Sequence, residues 1–154
     1  MSLEVWAKNG WLRPHQTTRR QLGDLLAIVD RDLADAAAAG LSPDWRFGIA
    51  YNAALKLCTM LLHAKAYRPE KNLAHYRTLQ ALPLILGAAW DDDADYLDTC
   101  RAKRNTAEYD AVGQVSAAEA DELFAFTWKL RAAALGWLQN ELPALAPEIL
   151  HPPS

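Results

Sequence analysis

The stretch "SPDWRFGIAYNAALKLCTMLLHA", residues 42–64, decides how this chain folds. Ser42, Pro43 and Asp44 form a helix-start signal: serine caps a helix, proline fits its first turn, and an acid favours the positive end of its dipole. Apolar residues then recur at helical spacing, at Phe47, Ala50, Ala54, Leu57, Leu61 and Ala64, and the face is widened by Leu55, Cys58 and Leu62. We therefore predict a helix here that is the most buried of the chain and that ends before Pro69.

A second amphipathic helix precedes this stretch. Thr17 or Thr18 is a capping residue for it, and Gly40 stands just beyond its end, where glycine commonly terminates helices. Its apolar face consists of Leu22, Leu26, Val29, Leu33 and Ala36. The short connection to Ser42 favours antiparallel packing of the two helices.

A shorter helix is predicted over about residues 73–86. It is kinked or restarted near Pro83, because an interior proline removes a backbone hydrogen bond and clashes with the preceding turn. Gly87 can end it.

Two further helices follow. The acidic run at residues 91–93 supplies a capping residue and first-turn acids for a helix that extends to about Asp110, before Gly113 breaks the chain. The sequence "SAAE" at residues 116–119 is a capping box that opens the last helix, which stops before Pro143. The apolar face of this last helix carries Leu123, Phe126, Thr127, Leu130, Ala134, Trp137 and Leu138.

These patterns predict an all-α protein, an up-and-down bundle of four main helices plus a short fifth helix. No stretch shows convincing strand alternation. We divide the chain into an N-terminal arm (residues 1–16), the bundle (17–142) and a proline-rich, extended tail (143–154). Trp6 and Trp11 in the arm are expected to pack on the domain.

Composition narrows the class of function. The chain has 154 residues and a net charge of −3, which argues against a broad basic face for duplex nucleic acid but leaves room for a small nucleotide or single-strand site. The longest apolar run, residues 81–90, is far shorter than the ~20 residues of a membrane span, and the N-terminus lacks a secretory signal. We expect a soluble, cytoplasmic protein without a membrane partner, in which Cys58 and Cys100 are reduced core thiols.

No metal or cofactor is predicted. The four histidines lack the i, i+4 spacing of a helical metal site, and no Cys-x-x-Cys pair is present. The segment "DDDAD" at residues 91–95 is interpreted as a helix start, since the glycine turn and distant glutamate of a calcium loop are missing. Phosphate-cradling glycine loops and a Gly-x-Ser-x-Gly elbow are missing too.

The segment "RAKRNTAEYD", residues 101–110, holds the candidate site. On a helix, Leu97, Cys100, Arg104, Ala107 and Ala111 form one stripe, so an arginine stands in a row of core residues. In one interpretation Arg104 is a boundary residue whose head reaches Glu108 or Asp98. In the other, Arg101, Arg104, Asn105 and Tyr109 form a polar centre suited to clamping an anionic oxygen.

At these residues the sequence resembles the HEPN superfamily of small helical bundles, whose signature is an arginine, a polar residue directly after it and a histidine a few positions on. Arg104 and Asn105 match, and Tyr109 takes the place of the histidine. The segments "SPDWRF" (42–47), "YNAALKLCTMLLHAKAYRP" (51–69) and "HYRTLQAL" (75–82) also resemble the family, with Ala66 at the place of a glycine. The similarity covers about residues 17–140 and is greatest to a bacterial branch.

The resemblance implies a HEPN-like homodimer whose signature helices meet across a two-fold axis and line one cleft, often with a nucleotidyltransferase as partner. Active relatives cleave RNA without metal, the histidine handling protons and the arginine stabilising the phosphorane. A tyrosine with a pKa near ~10 is a poor base at neutral pH. A second tyrosine that serves as a modification target in toxin relatives is replaced here by Ala111.

Three functions remain open at this point. The first is a HEPN-like dimer, without efficient catalysis, that binds a nucleotide, an RNA phosphate or a nucleotidyltransferase through Arg101, Arg104, Asn105 and Tyr109. The second is a metal-independent endoribonuclease of toxin-antitoxin type that uses another proton-transfer group, His63 or His75. The third is a structural adaptor whose polar motif sets only the dimer register.

Overall fold

We describe a computed structural model of the chain over residues 1–106 and 113–148. The elements, in chain order, are α1 (Leu3–Lys8), β1 (Leu12–Pro14), α2 (Arg19–Ala36), α3 (Pro43–Ala64), β2 (Tyr67–Pro69), α4 (Ala74–Gln80), α5 (Leu82–Leu86), a 3₁₀ turn (Ala88–Trp90), α6 (Asp91–Asn105) and α7 (Ala117–Glu141). The described chain is mostly helical, which confirms the all-α class.

Helix α3 lies at the centre of the molecule. Ser42 caps it as predicted, accepting a hydrogen bond from the Trp45 N–H, and every residue of its predicted apolar face is buried. It contacts α2, α4, α5, α6, α7 and β2. A helix that is apolar on most of its circumference is stable only when neighbours cover it on several sides, and this arrangement provides them.

Helix α2 packs antiparallel to α3. Its cap is Thr18, and its predicted apolar face is buried in full. Polar contacts that the sequence did not predict fix the pairing: the Arg46 Nε donates to the Ala36 carbonyl, and the Asn52 amide donates to the buried Asp32 at 2.6 Å. Two polar side chains from facing helices therefore satisfy each other inside an otherwise apolar contact.

Helix α7 covers another side of α3. The predicted capping box is present, since Ser116 accepts from the Glu119 N–H and Glu119 accepts from the Ser116 N–H. An ion pair joins Arg46 to Asp121, and the Thr127 hydroxyl lies 3.4 Å from the Ala50 carbonyl. The second contact lies closer to the C-terminus of both helices than the first. The two helices are therefore parallel.

The expectation of a chain without strands is wrong at one place. β1 and β2 pair antiparallel, with Arg13 directly opposite Arg68. Three-residue strands are too short to display an alternating pattern, so the sequence carried no signal for them. Ala66, just before β2, has a φ of +70°, in the left-handed region that favours glycine.

The chain between β2 and α6 is broken near Pro83, as predicted: α4 ends at Gln80 and α5 begins at Leu82. The capping prediction for α6 is wrong, because the 3₁₀ turn leads directly into the helix and Trp90 stands at the cap position without a side-chain bond. The three acids occupy the first turn as predicted. The predicted helix end near Asp110 lies outside the described residues.

The two ends pack on the bundle. Trp6 is buried against Leu62 and Ala81, in line with the expectation for the arm. The tail was predicted to be extended, but its described part turns back: the N–H groups of Leu145 and Ala146 donate to the Leu142 carbonyl, and Ala146 is buried. The apolar side chains in "LPALAP" explain this difference, since they gain more by joining the core than by remaining in water. Residues 149–154 lie outside the described part.

Candidate functional site

The C-terminal half of α6 carries three of the four predicted site residues. Arg101 and Asn105 line an open groove of about 310 Å³ between α6 and the start of α4. The rest of the groove lining is Lys71, Leu73, Ala74, His75 and Tyr76. Tyr109, together with Ala107, Glu108 and Ala111, lies outside the described residues.

Arg101 is held at the edge of this groove by its own helix. Its Nε donates to Asp98 at 2.8 Å, one turn earlier, and both side chains are about 30% exposed (31% and 30%). The carboxylate that one interpretation assigned to Arg104 thus binds Arg101. This hydrogen bond uses Nε, and an arginine has further N–H donors with which it can bind an acceptor such as a phosphate.

Arg104 faces inward, which answers why a guanidinium stands in a core stripe. Leu97 and Cys100 on the same stripe are buried, and the guanidinium carbon of Arg104 lies 5.6 Å from the centre of the Tyr51 ring. The ring face attracts the cation and replaces part of the solvation that it loses. Tyr51 is therefore a site residue that the sequence analysis missed, since only the fold brings it under Arg104.

The Tyr51 side chain, which lies beneath Arg104, is almost completely buried. The side chain is 1% exposed, and its hydroxyl makes no hydrogen bond to another described residue. Burial raises the pKa of Tyr51 well above its ordinary value, while the charges of Arg104 and Arg101 act in the opposite direction. A neutral phenol is therefore present here at all physiological pH values.

His75 stands across the groove from α6. Although the ring is exposed, partial burial lowers its pKa, and the positive charges of Arg104, Lys56 and Arg101 lower it further. Three cations and a histidine therefore share one small region. The uncharged imidazole is favoured at neutral pH, so His75 can accept a proton there.

His63, the other histidine considered for proton transfer, lies elsewhere. Its ring stacks on His15 with 4.0 Å between centroids, in a groove of about 570 Å³ beside the start of α2. Burial, His15 and Lys56 lower the pKa of His63 to about 4. The fold thus brings His75, and not His63, to the groove of Arg101 and Asn105.

Thiol and metal chemistry have little support at this site. Cys58 and Cys100 are buried and unbridged, and burial raises their pKa values to about 12 and about 11. Thiols of this kind are not nucleophiles at neutral pH. Within residues 1–106 and 113–148, no three His, Cys, Asp or Glu side chains are grouped closely enough to hold a metal ion.

None of the described helices has the length and apolar character needed to cross a membrane. No family model, curated protein or solved structure matches this chain. The HEPN resemblance therefore stays a prediction from the residues that carry it.

Proposed function

We propose that this chain is a HEPN-like homodimeric protein that binds the phosphate of a nucleotide or of RNA in the groove between α4 and α6. One observation carries the proposal: Arg101 and Asn105 share that groove with His75, and Arg104 is near enough to lower the pKa of His75. Cations and an amide that converge on a small open groove suit an anionic oxygen.

The local charge supports this ligand class. The chain as a whole is acidic, with a net charge of −3, yet the described residues that line the groove include two cations and no carboxylate. Asp98, one turn before Arg101 on α6, forms an ion pair with Arg101. Concentrating positive charge in one place on an acidic protein favours a small or flexible anion over a rigid duplex.

The charge pattern along α6 supports the homodimer. Its first turn holds Asp91, Asp92 and Asp93, and its last turns hold Arg101, Lys103 and Arg104. When two copies of such a helix pair antiparallel across a two-fold axis, the acidic end of each meets the basic end of the other. Charge complementarity between the two copies of α6 therefore supports a homodimer.

Binding is tested by calorimetric titration with mono- and dinucleotides. The Arg101→Ala variant should bind at least about tenfold more weakly, because Arg101 lines the groove and a charge-assisted hydrogen bond contributes about 1.5–3 kcal/mol. Arg20→Ala is the matched control, since Arg20 is exposed at the start of α2, where it lines a different groove.

Equal binding by the native protein and by folded Arg101→Ala overturns the proposed site. Sedimentation tests the dimer, and a monomer at micromolar concentration contradicts it. A nucleotidyltransferase partner follows from the resemblance alone, and co-purification with such an enzyme encoded beside this chain is its test.

The position of His75 also favours the second candidate function, a metal-independent endoribonuclease of toxin-antitoxin type. A neutral imidazole can take the proton of an RNA 2′-hydroxyl, whose oxygen then attacks the adjacent phosphorus to form a 2′,3′-cyclic phosphate. The bond to the 5′-oxygen of the next nucleotide breaks, and this oxygen leaves as a hydroxyl with a proton from water. Arg104 or Arg101 would stabilise the charge that develops on the phosphoryl oxygens.

RNA cleavage in the presence of a chelator tests this candidate. Activity that is lost in both His75→Ala and Arg104→Ala, and whose pH profile depends on His75, supports it. Expression that is harmless to the host, together with intact RNA in the assay, counts against it and leaves the binding function in place.

A further inference from the structure

The β1–β2 ribbon carries an unusual pair of charges. Arg13 and Arg68 stand directly opposite each other, and both side chains are exposed. Like charges at directly opposed positions destabilise an antiparallel pair. Each strand of the ribbon has only three residues, so few backbone hydrogen bonds are available to offset the repulsion between the two arginines.

Carboxylates of the chain neutralise the positive charge of the ribbon only in part. The Arg13 Nε donates to Glu70 at 2.6 Å, and this hydrogen bond is the main reason why the pKa of Glu70 is lowered. Arg68 also acts on Glu70 at longer range, but neither Arg68 nor Lys71 forms an ion pair with another described residue. The Glu70 carboxylate therefore lies beside two arginines of the ribbon and next to Lys71 in the chain.

The ribbon is continuous with the groove. Lys71 follows β2 and lines the groove beside His75, and its Cα lies within about 11 Å of the Arg68 Cα because three residues span no more than that. The ribbon is also fixed to α4: the guanidinium of Arg77 lies 3.6 Å above the Trp11 ring, immediately before β1. Lys71 therefore connects the ribbon to the groove in the chain, and α4 contacts the ribbon through Arg77.

We propose that this ribbon is a second phosphate-binding station, which contacts the backbone of single-stranded RNA while another phosphate of the same strand occupies the groove. The proposal rests on the proposed function and extends it from a nucleotide to a strand of several nucleotides. An anionic backbone beside Arg68 and Arg13 relieves the repulsion between them. A flexible single strand can turn from the ribbon into the groove, which a stiff duplex cannot do.

The test compares a labelled single-stranded RNA of about ten nucleotides with a nucleoside monophosphate, by fluorescence anisotropy and calorimetry respectively. Arg68→Gln should weaken binding of the oligonucleotide about threefold to tenfold and leave binding of the mononucleotide unchanged. It should also reduce the slope of log K against log salt concentration by about 0.7, the contribution of one single-strand phosphate contact. Arg20→Gln is the control and should change neither.

The ribbon and the groove fail in distinguishable ways. If Arg68→Gln leaves the oligonucleotide affinity and its salt slope unchanged while Arg101→Ala weakens binding of both ligands, the ribbon proposal is overturned and the groove stands. If Arg101→Ala has no effect on the binding of either ligand, the groove itself is overturned. Displacement of the oligonucleotide by polyglutamate at equal charge concentration overturns RNA as the ligand of the ribbon, because it shows a surface that accepts any polyanion.

Discussion

The burial of His63, whose ring also stacks on His15, makes the stability of this protein depend on pH in a calculable way. The pKa of His63 is about 4 in the folded chain, against an ordinary value of 6.5. The unfolded chain therefore binds a proton at a higher pH than the folded chain does. The stabilisation from the neutral ring is complete above about pH 6.5 and is lost as the pH falls from about 6.5 to about 4.

The two pKa values set the magnitude. Their separation corresponds to about 3 kcal/mol, since each pH unit contributes about 1.36 kcal/mol. His63 keeps part of its surface in solvent, so we expect the free energy of unfolding to fall by about 2 kcal/mol between about pH 7 and about pH 4.5 on account of this residue. The pKa of Glu119 is lowered to about 2, so its contribution to the free energy of unfolding is lost mainly below about pH 4.5. It therefore does not mask the effect of His63 between about pH 7 and about pH 4.5.

Urea unfolding followed by circular dichroism measures the effect in the native protein and in His63→Gln. The variant should lose less stability on acidification, by about 2 kcal/mol, whatever its stability at neutral pH. His15→Gln should show an intermediate dependence, because His15 is the second cause of the lowered pKa. Parallel pH curves for the native protein and His63→Gln would refute the reasoning.

Three further outcomes are expected. Ala66→Gly should raise the free energy of unfolding by about 0.5–1 kcal/mol, because glycine adopts the φ of +70° without strain; an unchanged or lower urea midpoint contradicts this. Ser116→Ala should lower the free energy of unfolding by about 1 kcal/mol, because the capping box with Glu119 is lost; a stability equal to that of the native protein excludes a stabilising cap. Cys58 and Cys100 should react with a thiol reagent only after unfolding, because both are buried and their pKa values are raised; rapid labelling of the native protein at about pH 8 contradicts their burial.

The long helices could be predicted because their signals are local. The cap at Ser42, the capping box at Ser116 and the apolar faces of α2 and α3 depend on residues within a few turns of one another. The strands β1 and β2 could not be found in this way, since their pairing joins residues more than 50 positions apart over only three residues each. The predicted acidic cap of α6 is absent because the 3₁₀ turn leads into α6 without an extended residue between them, and Trp90 therefore occupies the cap position.

The residues of the candidate site also divide into those that local sequence signals identify and those that only the tertiary structure brings together. Arg101, Arg104 and Asn105 were identified from spacing on one helix and from a family resemblance. Tyr51 and the Lys71 side of the groove could not be identified, because the sequence does not reveal which residue of α3 lies under Arg104 or how α4 approaches α6. His75 was one of two histidines considered, and only tertiary structure distinguishes it from His63.

The central place of α3 has a consequence for how the molecule unfolds. Each of the neighbouring helices packs on α3, so none of them keeps its apolar face covered once α3 leaves. The loss of one contact surface therefore removes the support for the next, and we expect one cooperative transition in which α2, α3 and α7 melt together. Fragments that end at the turn before β2 should not fold, since they separate α3 from the partners that bury its other side.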